Sequence, residues 1–202
     1  MAEELIGIIG GSGLGDCFAE RMVEAELHDV DTPYGKPSTA ILVGKLGARK
    51  IAFLNRHGDR HTLSPSEVPF AANIFALKKL GVRTVLSSGA VGSLREEIAP
   101  GHLVAVDQFI DKTFRRTSSF FADFGAVHCE LAEPTCGRVR ELLVDTAKNM
   151  KDEKRNDGRW TNRETMDETA PRPLVHRPSS IVLHPKGTYV CMEGPQFSTR
   201  AE

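Results

Sequence analysis

LIGIIGGSGLGD, residues 5–16, predicts the first strand of the fold and the turn that follows it. Its opening half is apolar and rich in isoleucine, and a run without polar alternation indicates a strand buried on both faces. The glycines from Gly10 to Gly15 then predict a loop with positive φ angles, whose N–H groups can approach a ligand closely. Ser12 adds a hydroxyl that can donate to a phosphate oxygen. The stretch therefore indicates a loop suited to an anion.

Two well-known phosphate-binding loops are excluded by the same residues. The dinucleotide-binding fingerprint requires glycine at its sixth position, but the sixth residue counted from Gly11 is Asp16. The spacing of Gly10 and Gly15 fits a P-loop, but Asp16 stands where the phosphate-binding lysine is required. A tight connection between a strand and a helix remains the alternative interpretation of these glycines.

Composition indicates a single domain and bears on which partners the chain can bind. The chain has 202 residues, of which 40% are hydrophobic, enough for one domain with a substantial core. A net charge of -1 argues against a nucleic-acid or anionic-membrane surface. No apolar run is long enough to span a bilayer, and Glu3 and Glu4 replace the basic start of a signal peptide, so we expect a cytoplasmic chain. The four cysteines lack C-x-x-C spacing, which predicts free thiols, mostly in the core, and no metal site.

A predicted β-hairpin places a cluster of basic side chains after its second strand. The two strands and their turn are predicted at residues 39–43, 50–54 and 44–47. The sequence RHGDRHT, residues 56–62, then offers two arginines, two histidines and a threonine. These donors suit an anion through charge-assisted hydrogen bonds, whereas solvated basic runs usually contain lysine. Arg56 and His57 are therefore candidates for a second wall of the anion site, with a solvated loop as the alternative.

A helix and a further strand lead to a second turn of small residues. Helical spacing, a proline in the first turn and a glycine stop predict a helix that contains Phe70, Ile74 and Leu77 between Pro69 and Gly81. Residues 82–88 predict a strand that ends in SSGAVGS, residues 87–93. This turn offers hydroxyls and unobstructed N–H groups to an anion, and it is equally compatible with a packing turn.

Six motifs follow one another along the chain: IGIIGGSGL, TPYGKPS, NRHGDRHTLSPSEVPFAANIFALKKLG, GSLREEIAPG, DQFIDKT and EGPQFSTRAE. In them the chain resembles the methylthioadenosine phosphorylase branch of the trimeric purine nucleoside phosphorylase family. The resemblance covers residues 5–113, 133–150 and 186–202. We predict an α/β fold, with a central mixed β-sheet flanked by helices, as one nucleoside phosphorylase-like domain over residues 1–202. The resemblance implies a homotrimer.

The resemblance implies phosphorolysis of methylthioadenosine to adenine and methylthioribose phosphate, in purine and methionine salvage. Inorganic phosphate is the co-substrate, and no cofactor or metal is expected. Ser88 is included among the phosphate-binding residues because the family commonly has a hydroxyl residue where this chain has Gly89. The implied phosphate-binding residues are Ser12, Arg56, His57, Ser88, Gly89 and Ala90, and the implied substrate-binding residues are Phe197 and Ser198. Two alternatives stay open: a purine nucleoside phosphorylase with another purine nucleoside as substrate, and a truncated, non-catalytic phosphate-binding homologue.

Two parts of the chain depart from the family pattern. Residues 151–185 are rich in charge and contain prolines, which predicts a mobile surface insertion, with a short docked helix as the alternative. The chain also stops inside the EGPQFSTRAE motif, so we expect a C-terminal truncation. The family's catalytic acidic residue corresponds to a position beyond Glu202, and no catalytic residue is therefore identified within the sequence.

Overall fold

The computed structural model describes residues 4–117, 119–121, 125–156 and 181–194. The predicted substrate-binding residues Phe197 and Ser198 lie outside the described residues. The chain forms two compact units, one of residues 1–91, 112–128 and 192–202, and one of residues 92–111 and 129–191. The single domain over residues 1–202 stays a prediction.

A five-stranded mixed sheet forms the centre of the first unit, in the order β2-β3-β4-β1-β5. Its strands are β1 Leu5–Gly10, β2 Val23–His28, β3 Ile41–Leu46, β4 Arg49–Asn55 and β5 Thr84–Ser87. Strand β1 pairs in parallel with β4 and β5, whereas β3 pairs antiparallel with β2 and β4. The predicted hairpin is therefore confirmed, but β3 continues to Leu46, so the turn is shorter than the predicted residues 44–47 and consists of Gly47 and Ala48.

Two helices accompany this sheet, α1 Ser12–Arg21 and α2 Phe70–Lys79. Helix α1 lies against β4, where the ring of Phe18 stacks on Phe53 with 5.0 Å between the ring centres. Helix α2 is the predicted helix, and it ends before Gly81, which has a φ of +95°. Leu77 is buried as expected, but Phe70 and Ile74 are 37% and 40% exposed, because the buried face of α2 is formed by Ala72, Asn73, Ala76 and Leu77.

The core of the first unit lies where α2 packs on the sheet. It contains apolar side chains from β1, β3, β4 and α2 together with residues of the connecting segments. The buried apolar residues of this cluster are Ile9, Val30, Ile41, Val43, Ala52, Leu54, Ala76, Leu77 and Val82. Their burial stabilises the packing of the sheet against the helix through the hydrophobic effect.

The glycine-rich stretch forms less loop than its sequence predicts. Helix α1 begins at Ser12, so Gly11 alone separates it from β1. The φ of Gly11 is −94°, and neither Gly10 nor Gly15 has a positive φ. Glycine is needed at position 10 for space instead, because a Cβ there would lie 2.9 Å from Cε2 of Phe53. The predicted positive φ is therefore wrong for these three glycines, and close packing explains Gly10.

The charged segment after α1 forms an edge strand, β2. Its pairing with β3 shifts register between Val23 and Glu26, and Glu24 within this bulge has a φ of 52°. The carboxylate of Glu24 pairs with Lys45 of β3 at 2.6 Å. An irregular, charged edge of this kind is typical of the outer strand of a sheet.

The second unit contains a pair of short parallel strands and a long helix. Strand β6 Leu103–Val104 pairs with β8 Leu183–His184, and α3 spans Gly137–Asn156. Strand β7 Gln108–Lys112 pairs with β9 Thr188–Met192. Helix α3 thus extends into the predicted insertion 151–185, and β8 lies near its end, while residues 157–180 fall outside the described part of the chain.

Two expectations from composition can be compared with the structure. Within the described ranges, no helix combines the length and the apolar character needed to cross a membrane. The four cysteines are free thiols as predicted, but they are not mostly in the core: three are exposed, namely Cys17, Cys129 and Cys136. Each of the three lies on a helix surface or in an irregular segment, where no apolar layer covers it.

Candidate anion-binding site

The candidate site lies where three adjacent parallel strands end. The N–H of Arg56, directly after β4, donates to the carbonyl of Gly10 at 3.1 Å. The N–H of Ser88, directly after β5, donates to the carbonyl of Ile9 at 3.0 Å. These bonds extend the pairing of β4 and β5 with β1 by one step beyond the strands. They place Gly11, Arg56 and Ser88 side by side at the carboxyl edge of the sheet, where open α/β sheets bind ligands.

The guanidinium of Arg56 occupies the centre of this edge. Its Nη1 donates to the carbonyl of Ser88 at 2.5 Å. Its Nη2 lies 3.7 Å and 3.5 Å from the positions that a Cβ on Gly11 and on Gly89 would take. Among the described residues, no carboxylate forms an ion pair with Arg56. The site therefore presents a half-buried positive charge beside two glycines, which leaves room for an anion.

His57 contacts Arg56 on the side away from Ser88. Nε of Arg56 donates to Nε2 of His57 at 3.1 Å. The other ring nitrogen, Nδ1, lies 3.1 Å from the carbonyl of Leu63, and the N–H of Leu63 donates to the carbonyl of His57 at 2.9 Å. Burial of the ring lowers the pKa of His57 below 6.5, with a smaller contribution from the nearby charges of Arg56 and His61. The hydrogen bond with the Leu63 carbonyl opposes this shift in part. The net lowering of the pKa favours the neutral ring.

The turn between His57 and Leu63 has an unusual backbone. Gly58 has a φ of 74°, and Arg60 and His61 both have a φ of 59°, in the left-handed region that non-glycine residues rarely adopt. The rings of His57 and His61 meet edge to face, with 5.1 Å between their centres. Such conformations persist where surrounding contacts determine them, and they cluster at functional sites.

The structure brings together some of the predicted phosphate-binding residues. Arg56, His57, Ser88 and Gly89 form one group, although the Ser88 N–H and carbonyl are already hydrogen-bonded within it. Ser12 is the first residue of α1, but its side chain is not among those described. Ala90 is exposed.

No group of three or more His, Cys, Asp or Glu residues in the described ranges is arranged to hold a metal ion. A site without metal or cofactor stays a prediction.

A buried carboxylate near the end of the described chain is missing from the sequence-based predictions. Glu193 is only 5% exposed, and its Oε1 accepts a hydrogen bond from the hydroxyl of Ser66 at 2.6 Å. Its Oε2 accepts from the backbone N–H groups of Phe114 and Arg115, each at 2.9 Å. These bonds, led by that from Ser66, lower the pKa of Glu193 to about 2. A sequence contains no pattern for this arrangement, because two of the donors are backbone groups.

Comparison with known proteins assigns the chain to a family. Residues 5–202 match the family described as Phosphorylase superfamily. The chain belongs to this superfamily. Among curated superfamily members, the S-methyl-5'-thioadenosine phosphorylase of Cereibacter sphaeroides is 43% identical over 98% of the chain, and that of Hyperthermus butylicus is 42% identical over 98%. The chain spans 58% and 61% of the lengths of these two relatives.

Solved structures of superfamily members confirm the predicted nucleoside phosphorylase-like α/β fold. A methylthioadenosine phosphorylase from an Antarctic soil metagenomic library has a TM-score of 0.79 and 41% identity, over all of this chain and 60% of its own. Methylthioadenosine phosphorylase from Schistosoma mansoni, solved in complex with tubercidin, has a TM-score of 0.78 and 35% identity, over 98% of this chain and 66% of its own. The resemblance to the methylthioadenosine phosphorylase branch is thereby confirmed.

Proposed function

We propose that the protein cleaves methylthioadenosine by phosphorolysis to give adenine and methylthioribose phosphate, in purine and methionine salvage. The observation that carries the proposal is the group formed by Arg56, Gly11 and Gly89 at the carboxyl edge of the sheet. Relatives that are 42% and 43% identical and named S-methyl-5'-thioadenosine phosphorylase support the choice of nucleoside.

Phosphate binding is the part of this reaction that the described residues account for. In the proposal, the guanidinium of Arg56 attracts the anion and donates to its oxygens, since its own partners, the Ser88 carbonyl and the His57 ring, are both neutral. Gly11 and Gly89 leave the phosphate free to approach the guanidinium and the backbone. The full phosphate site comprises Ser12, Arg56, His57, Ser88, Gly89 and Ala90.

A phosphate bound there supplies the nucleophile. One of its oxygens forms a bond to the anomeric carbon of the ribose while the bond from that carbon to the purine nitrogen breaks, and the purine departs with the electron pair and takes up a proton. Holding the phosphate in a fixed position beside the sugar converts an encounter of two molecules into a step within one complex. The positive charge of Arg56 orients the nucleophile. Phe197 and Ser198 are proposed to contact the nucleoside.

The location, the oligomeric state and the cofactor requirement of the enzyme also form part of the proposal. We propose a cytoplasmic homotrimer that uses inorganic phosphate as co-substrate and needs no cofactor or metal. The resemblance described above supports these properties. Size-exclusion chromatography with light scattering measures the oligomeric state, and a mass of about one chain would contradict the trimer.

The test of the proposal compares two arginines on the same strand. Arg56 follows the carboxyl end of β4, whereas Arg49 begins this strand at its other end and is exposed. Phosphate binding is measured by isothermal titration calorimetry, and adenine release from methylthioadenosine is measured by chromatography with and without phosphate. We expect Arg56→Ala to lose about 1.5–3 kcal/mol for each charged hydrogen bond, which is about 10- to 150-fold in affinity. Arg49→Ala should match the wild type.

Each other outcome points to a different conclusion. Equal phosphate affinities of Arg56→Ala and Arg49→Ala would show that the anion site is wrong. Phosphate-dependent cleavage of inosine or guanosine in preference to methylthioadenosine would support a purine nucleoside phosphorylase of different specificity. Phosphate binding without cleavage of any nucleoside would support the non-catalytic phosphate-binding alternative.

A further inference from the structure

Two histidine rings meet in the second unit, where strands β6 and β8 pair. Nδ1 of His102, the residue before β6, lies 3.0 Å from Nε2 of His184, the last residue of β8. The ring centres are 5.1 Å apart, and the ring planes are tilted by 37°. Both residues are half-buried, so the pair keeps partial access to solvent. Neither histidine belongs to the candidate anion site, whose residues lie in the first unit.

The backbone holds each of the two rings in place. The N–H of Ala105 donates to the carbonyl of His184 at 2.8 Å, within the pairing of β6 and β8. His102 closes a turn, since its N–H donates to the carbonyl of Ala99 at 3.1 Å. Strand pairing and this turn therefore bring the two ring nitrogens together independently of the contact between the rings.

The hydrogen bonds of the pair assign its protons. The backbone N–H of Ala99 can only donate, so Nδ1 of His102, at 3.2 Å from that nitrogen, accepts. The proton between the two rings therefore belongs to Nε2 of His184, which donates to the same Nδ1. Moving this one proton to the other nitrogen of the His184 ring leaves two unprotonated nitrogens facing each other.

We propose that His102 and His184 form a binding site for a divalent transition-metal ion such as Ni²⁺ or Cu²⁺. When the ion binds, the proton of His184 moves from Nε2 to Nδ1 of the same ring, and the ion binds both Nε2 of His184 and Nδ1 of His102. Neutral imidazoles suit nickel, copper and zinc, whereas Mg²⁺ prefers oxygen ligands. The site goes beyond the proposed function and takes no part in phosphorolysis.

The distance between the two nitrogens fits this assignment. Metal–imidazole bonds of about 2.0–2.1 Å place two ligand nitrogens about 2.9 Å apart at a right angle and about 3.3 Å apart at a tetrahedral angle. The observed 3.0 Å is closer to the right angle, which is typical of square-planar Cu²⁺ or Ni²⁺. Because the hydrogen-bonded pair already has this separation, an ion can replace the proton with little movement of the strands.

The charges near the pair are compatible with a cation. The pKa of Glu97 is lowered by hydrogen bonds from its own backbone N–H and from Arg95, and to a smaller extent by the charge of His184, so its carboxylate lies near that ring. Arg95 pairs with Glu97 through Nε, and the two charges offset each other. Within the described ranges, no third His, Cys, Asp or Glu forms a metal-binding group with the two histidines. The remaining coordination positions are therefore assigned to water.

Titration of the full chain with metal ions tests the proposal. Three of the cysteines are exposed, so the thiols are first blocked with N-ethylmaleimide. Isothermal titration calorimetry at pH 7.5 then measures the affinities for Ni²⁺ and Mg²⁺. We expect Ni²⁺ to bind and Mg²⁺ not to bind. Equal affinities for the two ions would overturn the assignment to imidazole nitrogens.

Two variants and a control locate the ion. His102→Asn and His184→Asn each leave one histidine, and each should weaken Ni²⁺ binding at least as much as loss of an outer-shell partner does, about 10- to 100-fold. His28→Asn removes a half-buried histidine from β2 in the first unit and should retain wild-type affinity. Thermal melts check that each variant folds. Wild-type affinity in either His102→Asn or His184→Asn would overturn the site.

The wild-type protein offers a measurement that does not depend on the variants. Two-bond proton–nitrogen correlation spectra of the ¹⁵N-labelled protein distinguish a ring nitrogen that carries a proton from one that does not. On saturation with Zn²⁺, which gives sharp signals, we expect the proton of one histidine ring to move from Nε2 to Nδ1. Spectra in which every histidine keeps its proton on the same nitrogen would contradict the proposal.

These measurements are independent of the proposed function, because none of them uses phosphate or a nucleoside. A chain that binds Ni²⁺ through the two histidines but releases no adenine would retain the metal site and contradict the proposed function. A chain that releases adenine and binds no Ni²⁺ would overturn the metal site alone.

Discussion

The side chain of Asn73 binds Ser38 through two hydrogen bonds. Its Oδ1 accepts from the N–H of Ser38 at 2.7 Å, and its Nδ2 donates to the hydroxyl of Ser38 at 2.9 Å. Asn73 lies on α2 and is 2% exposed, whereas Ser38 belongs to the loop between β2 and β3. The pair joins this half-buried loop residue to the buried face of the helix.

Asn73→Ala should therefore destabilise the protein by about 1–3 kcal/mol, since it leaves the N–H of the half-buried Ser38 without its acceptor and removes a buried side chain. Urea unfolding followed by circular dichroism measures the change. Lys78→Ala, an exposed position on the same helix, is the control and should shift the free energy of unfolding by less than about 0.5 kcal/mol. Equal losses in the two variants would contradict the role of the Asn73–Ser38 pair.

The carboxylate of Glu193 should make the free energy of unfolding depend on pH in the acid range. The pKa of its carboxyl is about 2 in the folded protein and close to 4.5 in the unfolded chain, so its contribution is fully present above pH 4.5 and is lost as the pH falls towards 2. Glu193→Gln should flatten this decline because a neutral amide does not titrate. Thermal unfolding between pH 6 and pH 2.5 measures both profiles.

The control for Glu193 is Glu26→Gln, an exposed carboxyl on β2. Its profile should keep the steep acid decline of the wild type. A Glu193→Gln profile parallel to that of the wild type would show that the hydrogen bonds from Ser66 and from the two backbone N–H groups do not stabilise the charged form.

Gly10 and Gly11 should respond differently to a methyl group. A Cβ on Gly10 would lie 2.9 Å from Cε2 of Phe53, so Gly10→Ala should lose about 1–3 kcal/mol of stability through overpacking. A Cβ on Gly11 would meet only Nη2 of Arg56, at 3.7 Å, and the backbone there is extended, so Gly11→Ala should fold normally. It should weaken phosphate binding instead, because the methyl group occupies space beside the guanidinium. Calorimetry and urea unfolding on both variants check this contrast.

Arg56→Lys should fail to replace arginine despite retaining the charge. The guanidinium engages His57 and Ser88 through different nitrogens while Nη2 stays beside the glycines, and an ammonium group cannot hold this planar arrangement. We expect phosphate affinity to fall about tenfold or more, with stability little changed. Wild-type affinity in Arg56→Lys would show that charge alone suffices.

The main elements of the first unit could be predicted from sequence because they are marked by apolar runs and by glycine or proline. Strand β1, the β3–β4 hairpin, helix α2 and strand β5 each follow such a pattern, and each is confirmed. The grouping of Arg56 with Ser88 and Gly89 also follows, since residues after adjacent parallel strands must meet at one edge of the sheet.

Other features leave no sign in the sequence. Strand β2 lies at the edge of the sheet, and five of its six residues are exposed, so its charges resemble a solvated segment. The roles of Leu63 and Glu193 depend on hydrogen bonds with a backbone carbonyl or N–H, which any residue type can supply. Helix α1 is different, because the tight connection between a strand and a helix is the alternative interpretation of the glycines and is what the structure shows. Phe18 packs on Phe53, which offsets the low helix propensity of the glycines.

The bulge in β2 affects whether a strand from another molecule can add to this edge of the sheet. An approaching strand adds to a sheet only where it finds a regular row of N–H and carbonyl groups. Between Val23 and Glu26 that row is interrupted, and the carboxylates of Glu24 and Glu26 line the same stretch. Fibril growth by addition of strands from other molecules is therefore disfavoured along this edge, even in concentrated solution.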